Sequence, residues 1–193
     1  GVKPIIGIEA YVAPESRFEK KRVQWASGGD DDVSGGGAYT HMTILAENNH
    51  GLKNLFRLSS LASLEGYYYK PRMDRELLSK YSTGIIATTG CPGGEIQTRL
   101  RMGAYKEAKQ AASELRDIFG AENFYLEIMD HGIDIETRVK ADLLKLGKEL
   151  GLPLLATNDL HYTHHEDATS HEALLCVQSG STLADPKRFK FEN

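Results

Sequence analysis

Five short apolar runs recur along this chain with helical patterns between them, and that alternation constrains the fold more than any other feature. The runs occupy residues 5–12, 41–45, 84–89, 124–129 and 154–157. Segments this short and apolar throughout predict strands buried on both faces. Between them, residues 51–63 carry Leu52, Leu55, Phe56, Leu58 and Leu61 at helical spacing, and residues 105–119 run into Gly120 as a C-terminal stop. Residues 135–150 end at Gly151 and Pro153, and a last helix is predicted over 166–177, ahead of Ser179 and Gly180. Strand and helix in alternation predict an α/β architecture around a parallel sheet, with the 193 residues forming one domain.

The polar residues fall at one end of this pattern. Glu9, the Thr89-Gly90-Cys91 turn, Glu127 and Asn158-Asp159 all lie at or near the C-terminal ends of their strands. In (β/α) barrels that rim is where active sites are assembled from separate loops. His41 breaks the rule, because it opens its strand instead of closing it. Residues 14–39 break the alternation itself: Glu19-Lys20-Lys21-Arg22, Asp30-Asp31-Asp32 and Gly35-Gly36-Gly37 read as a long irregular insertion. An insertion of that length is either a solvated surface loop or a lid or docking loop beside the site.

Metal-ligand chemistry is the strongest pattern in the polar set. Asp159-Leu160-His161 places a carboxylate and an imidazole two residues apart; in extended backbone both project to one side and can converge on an ion. Oxygen and nitrogen donors together suit zinc, manganese or iron. Standing alone, an Asp-x-His is more often a turn residue beside a surface histidine, so the other strand ends decide the matter. Glu9 interrupts an apolar strand, where a carboxylate is costly unless it is paired or bound to metal. Cys91 sits in a glycine-rich turn, as a thiolate ligand, a nucleophile or a small buried residue. His41 is a ligand or a core histidine. Asn158 and Tyr162 are placed to orient ligands by hydrogen bonds or to serve as turn residues, and Glu127 and His131 are placed to face the site. Cys176, beside Leu174, Leu175 and Val177, reads as core; His50, His164 and His165 read as solvated, and His171 as a local cap or pair.

Several function classes lose ground. No GxxxxGK[ST], GxGxxG or GxSxG occurs, which disfavours nucleotide-driven and serine-hydrolase chemistry. A net charge of −4 confines any nucleic-acid contact to a local surface. Two distant cysteines, no apolar run long enough for a membrane and no signal-peptide pattern make the cytoplasm the default compartment, with no membrane partner.

The ordered motifs resemble a known family. Pro-Ile-Ile-Gly-Ile-Glu-Ala-Tyr-Val (4–12), Tyr-Thr-His-Met-Thr (39–43), Asn-Leu-Phe-Arg-Leu-Ser-Ser (54–60) and Thr-Gly-Cys-Pro-Gly-Gly-Glu (89–95) come first. Tyr-Leu-Glu-Ile-Met-Asp-His-Gly (125–132), Ala-Thr-Asn-Asp-Leu-His-Tyr (156–162) and His-Glu-Ala-Leu-Leu-Cys-Val-Gln-Ser-Gly (171–180) follow. Together they resemble the PHP (polymerase and histidinol phosphatase) domain of the alpha subunit of bacterial DNA polymerase III, in its actinobacterial, mycobacterium-like form. The resemblance implies a distorted (β/α)7 TIM-like barrel with up to three zinc or manganese ions. It puts Glu9, His41, Cys91, Asp159 and His161 on metal-ligand positions, with Asp159 and His161 serving a metal-activated water. The implied activity is 3′→5′ exonuclease proofreading at a DNA 3′ end, alongside the remaining polymerase domains and replisome subunits. The alternative is a non-catalytic module that stabilises the polymerase and docks a separate exonuclease; a free-standing phosphatase fits less well. The family's opening His-x-His motif and its strand would precede residue 1. The chain is therefore expected to be a partial PHP domain with incomplete metal occupancy and no activity in isolation.

Overall fold

In the computed structural model, which describes residues 1–25, 34–188 and 190, every predicted strand forms. They are β1 (Gly7–Val12), β2 (Thr40–Ala46), β4 (Ile85–Thr88), β5 (Phe124–Ile128) and β6 (Leu154–Ala156), joined by a two-residue β3 (Arg72–Met73). The helices are α1 (Asn49–Leu64), α2 (Arg75–Lys80), α3 (Glu95–Arg101), α4 (Tyr105–Phe119), α5 (Asp134–Leu150) and α6 (Ala168–Ser179), with short 3-10 turns at Ser34–Gly37 and His165–Asp167. β3, α2 and α3 lie where the sequence shows no sustained period, because each is too short to carry one.

The sheet order is β3-β1-β2-β4-β5-β6, and it is open, with β3 and β6 at its edges. The architecture is a mixed α/β sheet with helices, in keeping with a partial (β/α) barrel. It is not uniformly parallel as expected. β2 runs antiparallel to both β1 and β4, whereas β1–β3, β4–β5 and β5–β6 are parallel. Among the described residues the connection from β1 to β2 holds a loop and a 3-10 turn and no helix, and the chain returns along the sheet in the opposite sense.

Burial also departs from expectation at the sheet's edge. Ile44, Ile85, Phe124 and Leu126 are fully enclosed, packed with Leu58 of α1, Leu77 and Leu78 of α2 and Leu146 of α5. β6, by contrast, leaves Leu154 45% exposed, and Ile5 and Ile6 lie exposed ahead of β1. Of the apolar residues on α6, Cys176 is buried as expected, but Leu174 and Val177 face outward.

Local chemistry fixes the helix ends. The Asn48 side chain accepts from the amides of His50 and Gly51 at 3.0 Å, satisfying orphan donors at the start of α1. Gly51 must be glycine, because a Cβ there would sit 1.7 Å from the carbonyl oxygen of Gly84. Gly151 closes α5 in the left-handed region at φ 64°, as its position predicted.

The described parts of the 14–39 insertion expose most of their side chains in full or in part, yet two buried arginines anchor them to the body of the domain. Arg17, buried, donates to Glu65 at 2.7 Å and to both oxygens of Asp74 at 3.1 Å. Arg72, fully buried, donates to the carbonyls of Gly66, Ala38, Arg17 and Glu19 at 3.0–3.1 Å. Trp25 packs under the Arg99 guanidinium at 4.5 Å. The acidic run Asp30-Asp31-Asp32 lies outside the described residues. Arg72→Leu would strip four inward-facing carbonyls of their side-chain donor, Gly66 keeping only a 3.4 Å bond from the backbone amide of residue 72, and we expect it to cost about 3 kcal/mol or more of stability. Urea unfolding of the two proteins checks this; a loss under about 1 kcal/mol would contradict the clamp.

Candidate metal centre

The reversed strand explains the misplaced histidine. Because β2 runs opposite to β1, its first residues face the C-terminal end of β1, with His41 opposite Tyr11 and Thr43 opposite Glu9. An N-terminal His41 thus reaches the same rim as the strand ends of β1 and β4.

The turn after β4 brings the third donor. Thr89 Oγ1 accepts from the Glu127 amide and from Gln97 Nε2, each at 2.9 Å, and Gln97 Nε2 also donates to the Gly90 carbonyl at 2.8 Å. The His41 amide donates to the Gly93 carbonyl at 3.1 Å, and Gly94 approaches so closely that a Cβ would lie 2.2 Å from the Thr89 carbonyl oxygen. The turn is therefore bound to β2, β5 and α3 at once, and it aims Cys91 at His41.

At the centre, Glu9 Oε1 lies 2.6 Å from His41 Nδ1 and Cys91 Sγ lies 3.5 Å from the same nitrogen. A Cys–His–carboxylate relay needs its acid and its nucleophile on opposite ring nitrogens. Here both crowd one nitrogen, which can carry only one proton or one lone pair. One donor atom from each of Glu9, His41 and Cys91 lies within 4.8 Å of the others, the arrangement of three ligands around a shared point. Carboxylate oxygen, imidazole nitrogen and thiolate sulfur make a donor set that fits zinc.

The electrostatics agree. Burial opposes the His41 imidazolium, but Cys91 and Glu9 outweigh it and push the group up to about 9. The hydrogen bond with His41 holds the Glu9 carboxyl below its usual range, against burial and with help from the charges of His41, His161 and Lys70. Asp159 is shifted the other way: burial, then the negative charges of Glu9 and Glu127, raise its carboxyl against the pull of His161 and His41. A half-buried carboxyl raised by burial and by neighbouring negative charge is stabilised as the carboxylate by a bound cation.

Asp159 and His161 do not come together as an extended i, i+2 pair. Residues 157–160 form no strand, and Asp159 is left-handed at φ 45°, a conformation that aspartate tolerates better than most residues. The spacing argument fails at this point, although both residues lie within electrostatic reach of Glu9. His161 Nδ1 bonds the Asp159 carbonyl at 2.6 Å, which leaves the ring's lone pair on Nε2. Among the described residues neither joins the three-donor group of Glu9, His41 and Cys91.

The neighbouring positions take structural tasks. Glu127 is buried and accepts from the hydroxyls of Thr88 and, at 2.6 Å, Thr157, so it ties the ends of β4, β5 and β6 together. His131 does not point at the donors. Its Nδ1 pairs with Glu136 at 2.7 Å and its Nε2 donates to the Asn158 carbonyl at 2.9 Å, which holds the loop carrying Asp159. Asn158 thus contributes through its backbone, and Tyr162 packs against His171, with ring centroids 5.4 Å apart. Glu136, Gln97, Thr88 and Thr157 went unseen in the sequence as partners, since nothing in their spacing marks them.

Comparison with known proteins now bears on the site. The profile described as "PHP domain" matches residues 1–131, which include Glu9, His41 and Cys91. The chain belongs to the PHP domain family. Its whole length is similar to a segment of the DNA polymerase III subunit alpha of Saccharopolyspora erythraea, 63% identical over 201 residues that make up 17% of that protein. The corresponding Mycobacterium tuberculosis protein is 57% identical over 195 residues, again across the whole chain and 16% of its own length. The Thermus aquaticus protein is 45% identical over 191 residues, 99% of this chain and 15% of its length. The chain therefore spans about a sixth of the length of these relatives. Asp159 and His161 lie beyond the profile's match but inside the stretch shared with them.

A raised His41 makes metal uptake pH-dependent. Below about 9 the imidazolium must lose its proton to bind, so zinc affinity is expected to rise about ten-fold per pH unit from 6.5 towards 9, with proton release. Without metal the sign is opposite: the His41 ion pair stabilises the fold fully below 6.5, and that contribution is lost as pH rises through about 9. Zinc titration calorimetry in buffers of different ionisation enthalpy measures both the affinity and the protons released, and a flat profile would remove His41 from the ligand set.

Proposed function

We propose that this PHP domain forms the metal-dependent 3′→5′ exonuclease site of a DNA polymerase III alpha subunit, which hydrolyses the terminal phosphodiester at a DNA 3′ end. The observation that carries the reading is the convergence of Glu9, His41 and Cys91 on one point at the strand-end rim. A zinc or manganese ion held by these three, with Asp159 and His161 as further ligands, would supply Lewis-acid activation of water and neutralise phosphate charge. The residues of the chain do the positioning. The His131–Glu136 pair grips the Asn158 carbonyl and so holds the Asp159 loop, while Glu127 binds three strand ends beneath it. No side-chain nucleophile is required, and Cys91 serves as a ligand. The DNA 3′ end, the other polymerase domains and replisome subunits are the partners this reading names. Its compartment is the bacterial cytoplasm, and no helix among the described residues is long and apolar enough to cross a membrane.

A second reading is a non-catalytic PHP module that stabilises the polymerase and docks a separate proofreading exonuclease. It draws on one observation, that Asp159 and His161 stand outside the three-donor group among the described residues. Against it, all five positions keep ligand-capable side chains.

In the full-length subunit, Asp159→Asn is expected to reduce nucleotide release from mismatched primer ends by at least a hundred-fold (roughly 3 kcal/mol of transition-state stabilisation) and to lower metal content. Undiminished release with unchanged metal would sink the assignment of Asp159. Absence of release from the wild-type subunit, with polymerase activity intact, would favour the docking module.

A further inference from the structure

Beside the three donors runs an aromatic strip made of two ring clusters, with Lys70 between them. Register places Glu9 and Tyr11 on one face of β1, two residues apart, and Tyr11 pairs with His41 across the sheet. Tyr11 meets the His41 ring edge-on at 5.3 Å and Tyr39 at 5.0 Å, and Tyr39 stacks on His41 at 5.9 Å with 17° between the planes. Lys70 Nζ sits 5.4 Å from the Tyr11 ring centre. Further out, Tyr69 packs on Tyr68 at 4.6 Å, and the Arg22 guanidinium lies 5.1 Å over the Tyr69 ring.

Three properties of the strip point to a ligand. Tyr69 is 57% exposed and is held left-handed at φ 61°, a strained conformation for tyrosine that presents its ring outward from a tight turn closed by the Tyr68 amide and the Lys70 carbonyl at 3.0 Å. Among the described residues, neither Lys70 nor Arg22 is tied up in an ion pair, unlike Lys21, which Glu15 and Glu19 hold at 2.7 and 2.6 Å. The strip also begins at a metal ligand, so whatever lies on it is delivered to the candidate centre.

Alternating aromatic faces and unpaired cations in a chain of net charge −4 make a local platform for single-stranded nucleic acid: bases stack on the rings, and the cations meet the backbone phosphates. We infer that Tyr39, Tyr11 and Tyr69, with Lys70 and Arg22, bind the terminal nucleotides of single-stranded DNA and lead the last phosphodiester to Glu9, His41 and Cys91. The inference rests on the exonuclease reading for the identity of its ligand. A lone pair of tyrosines would be ordinary packing; at the outer end of this strip a strained Tyr69 ring stays 57% exposed despite its contacts with Tyr68 and Arg22.

The test uses the full-length polymerase subunit with chelator present and an oligonucleotide carrying 5-iododeoxyuridine at its 3′ end, a probe that photocrosslinks to aromatic side chains. We expect crosslinks to Tyr11, Tyr39 or Tyr69. In metal-replete enzyme, Tyr39→Ala is expected to raise KM for single-stranded 3′ ends roughly ten-fold, the size of one lost base–aromatic stack. kcat should move far less, and Tyr39→Phe should restore KM. Tyr69→Ala, at an exposed site, should also raise KM, and Lys70→Ala should lower the salt dependence by about one ion. Crosslinks confined to other residues, or an unchanged KM in both Tyr39→Ala and Tyr69→Ala, would overturn the platform. Crosslinking at the strip without any hydrolysis in metal-replete enzyme would support the platform and count against the exonuclease reading alone.

Discussion

The reversal of β2 is the constraint on which the rest of the site depends. In a uniformly parallel sheet, a histidine at the first residues of a strand would lie at the rim opposite the candidate site, a strand's length away from its partners. Running antiparallel, β2 instead sets His41 across from Tyr11 and beside Glu9, and it offers its amide to the turn that carries Cys91. One change of strand direction thus accounts for the three-donor convergence and for the aromatic contacts around it. The described residues of the connection before it hold no helix of the kind a parallel crossover demands.

Around that convergence, polar groups replace apolar packing as the cement. Glu127, Thr88, Thr89, Gln97 and Thr157 are hydrogen-bonded to one another or to backbone at the ends of β4, β5 and β6. Such groups are costly to bury unless hydrogen-bonded, and these bonds fix the geometry of the rim, although Gln97 Oε1 is buried without a partner. The His131–Glu136 pair extends the same device across to the Asp159 loop, and it couples the start of α5 to the segment after β6.

Much of the fold was legible because apolar runs and helix stops are local signals. The five longer strands and four longer helices fall within a few residues of their predicted ranges, and Gly120 and Gly151 end the helices they were assigned to. What the sequence hid is non-local. The direction of β2 depends on how a loop closes, and the docking of residues 14–25 depends on Arg17 and Arg72 meeting acceptors far along the chain. Glu9, His41 and Cys91 were recognisable through strand-end position and family motif, and the structure brings them together. The geometric reason given for Asp159 and His161 did not survive, because a left-handed residue abolishes the strand-like alternation it assumed. Glu127, read as a group behind the ligands or facing substrate, accepts hydrogen bonds from the threonines of neighbouring strand ends.

The Arg72 clamp has a thermodynamic corollary. Its four acceptors belong to the turn after α1, the end of the insertion before β2, and two points in the segment after β1. A buried guanidinium cannot give up one of these regions and keep the others without stranding its charge, so they open as one cooperative unit or not at all. That unit includes the backbone beside Arg22, Tyr39 and Tyr69. Amide exchange along the insertion and around the outer tyrosines therefore reports a single opening free energy, and a surface that looks peripheral shares the fate of the loop that reaches the metal rim.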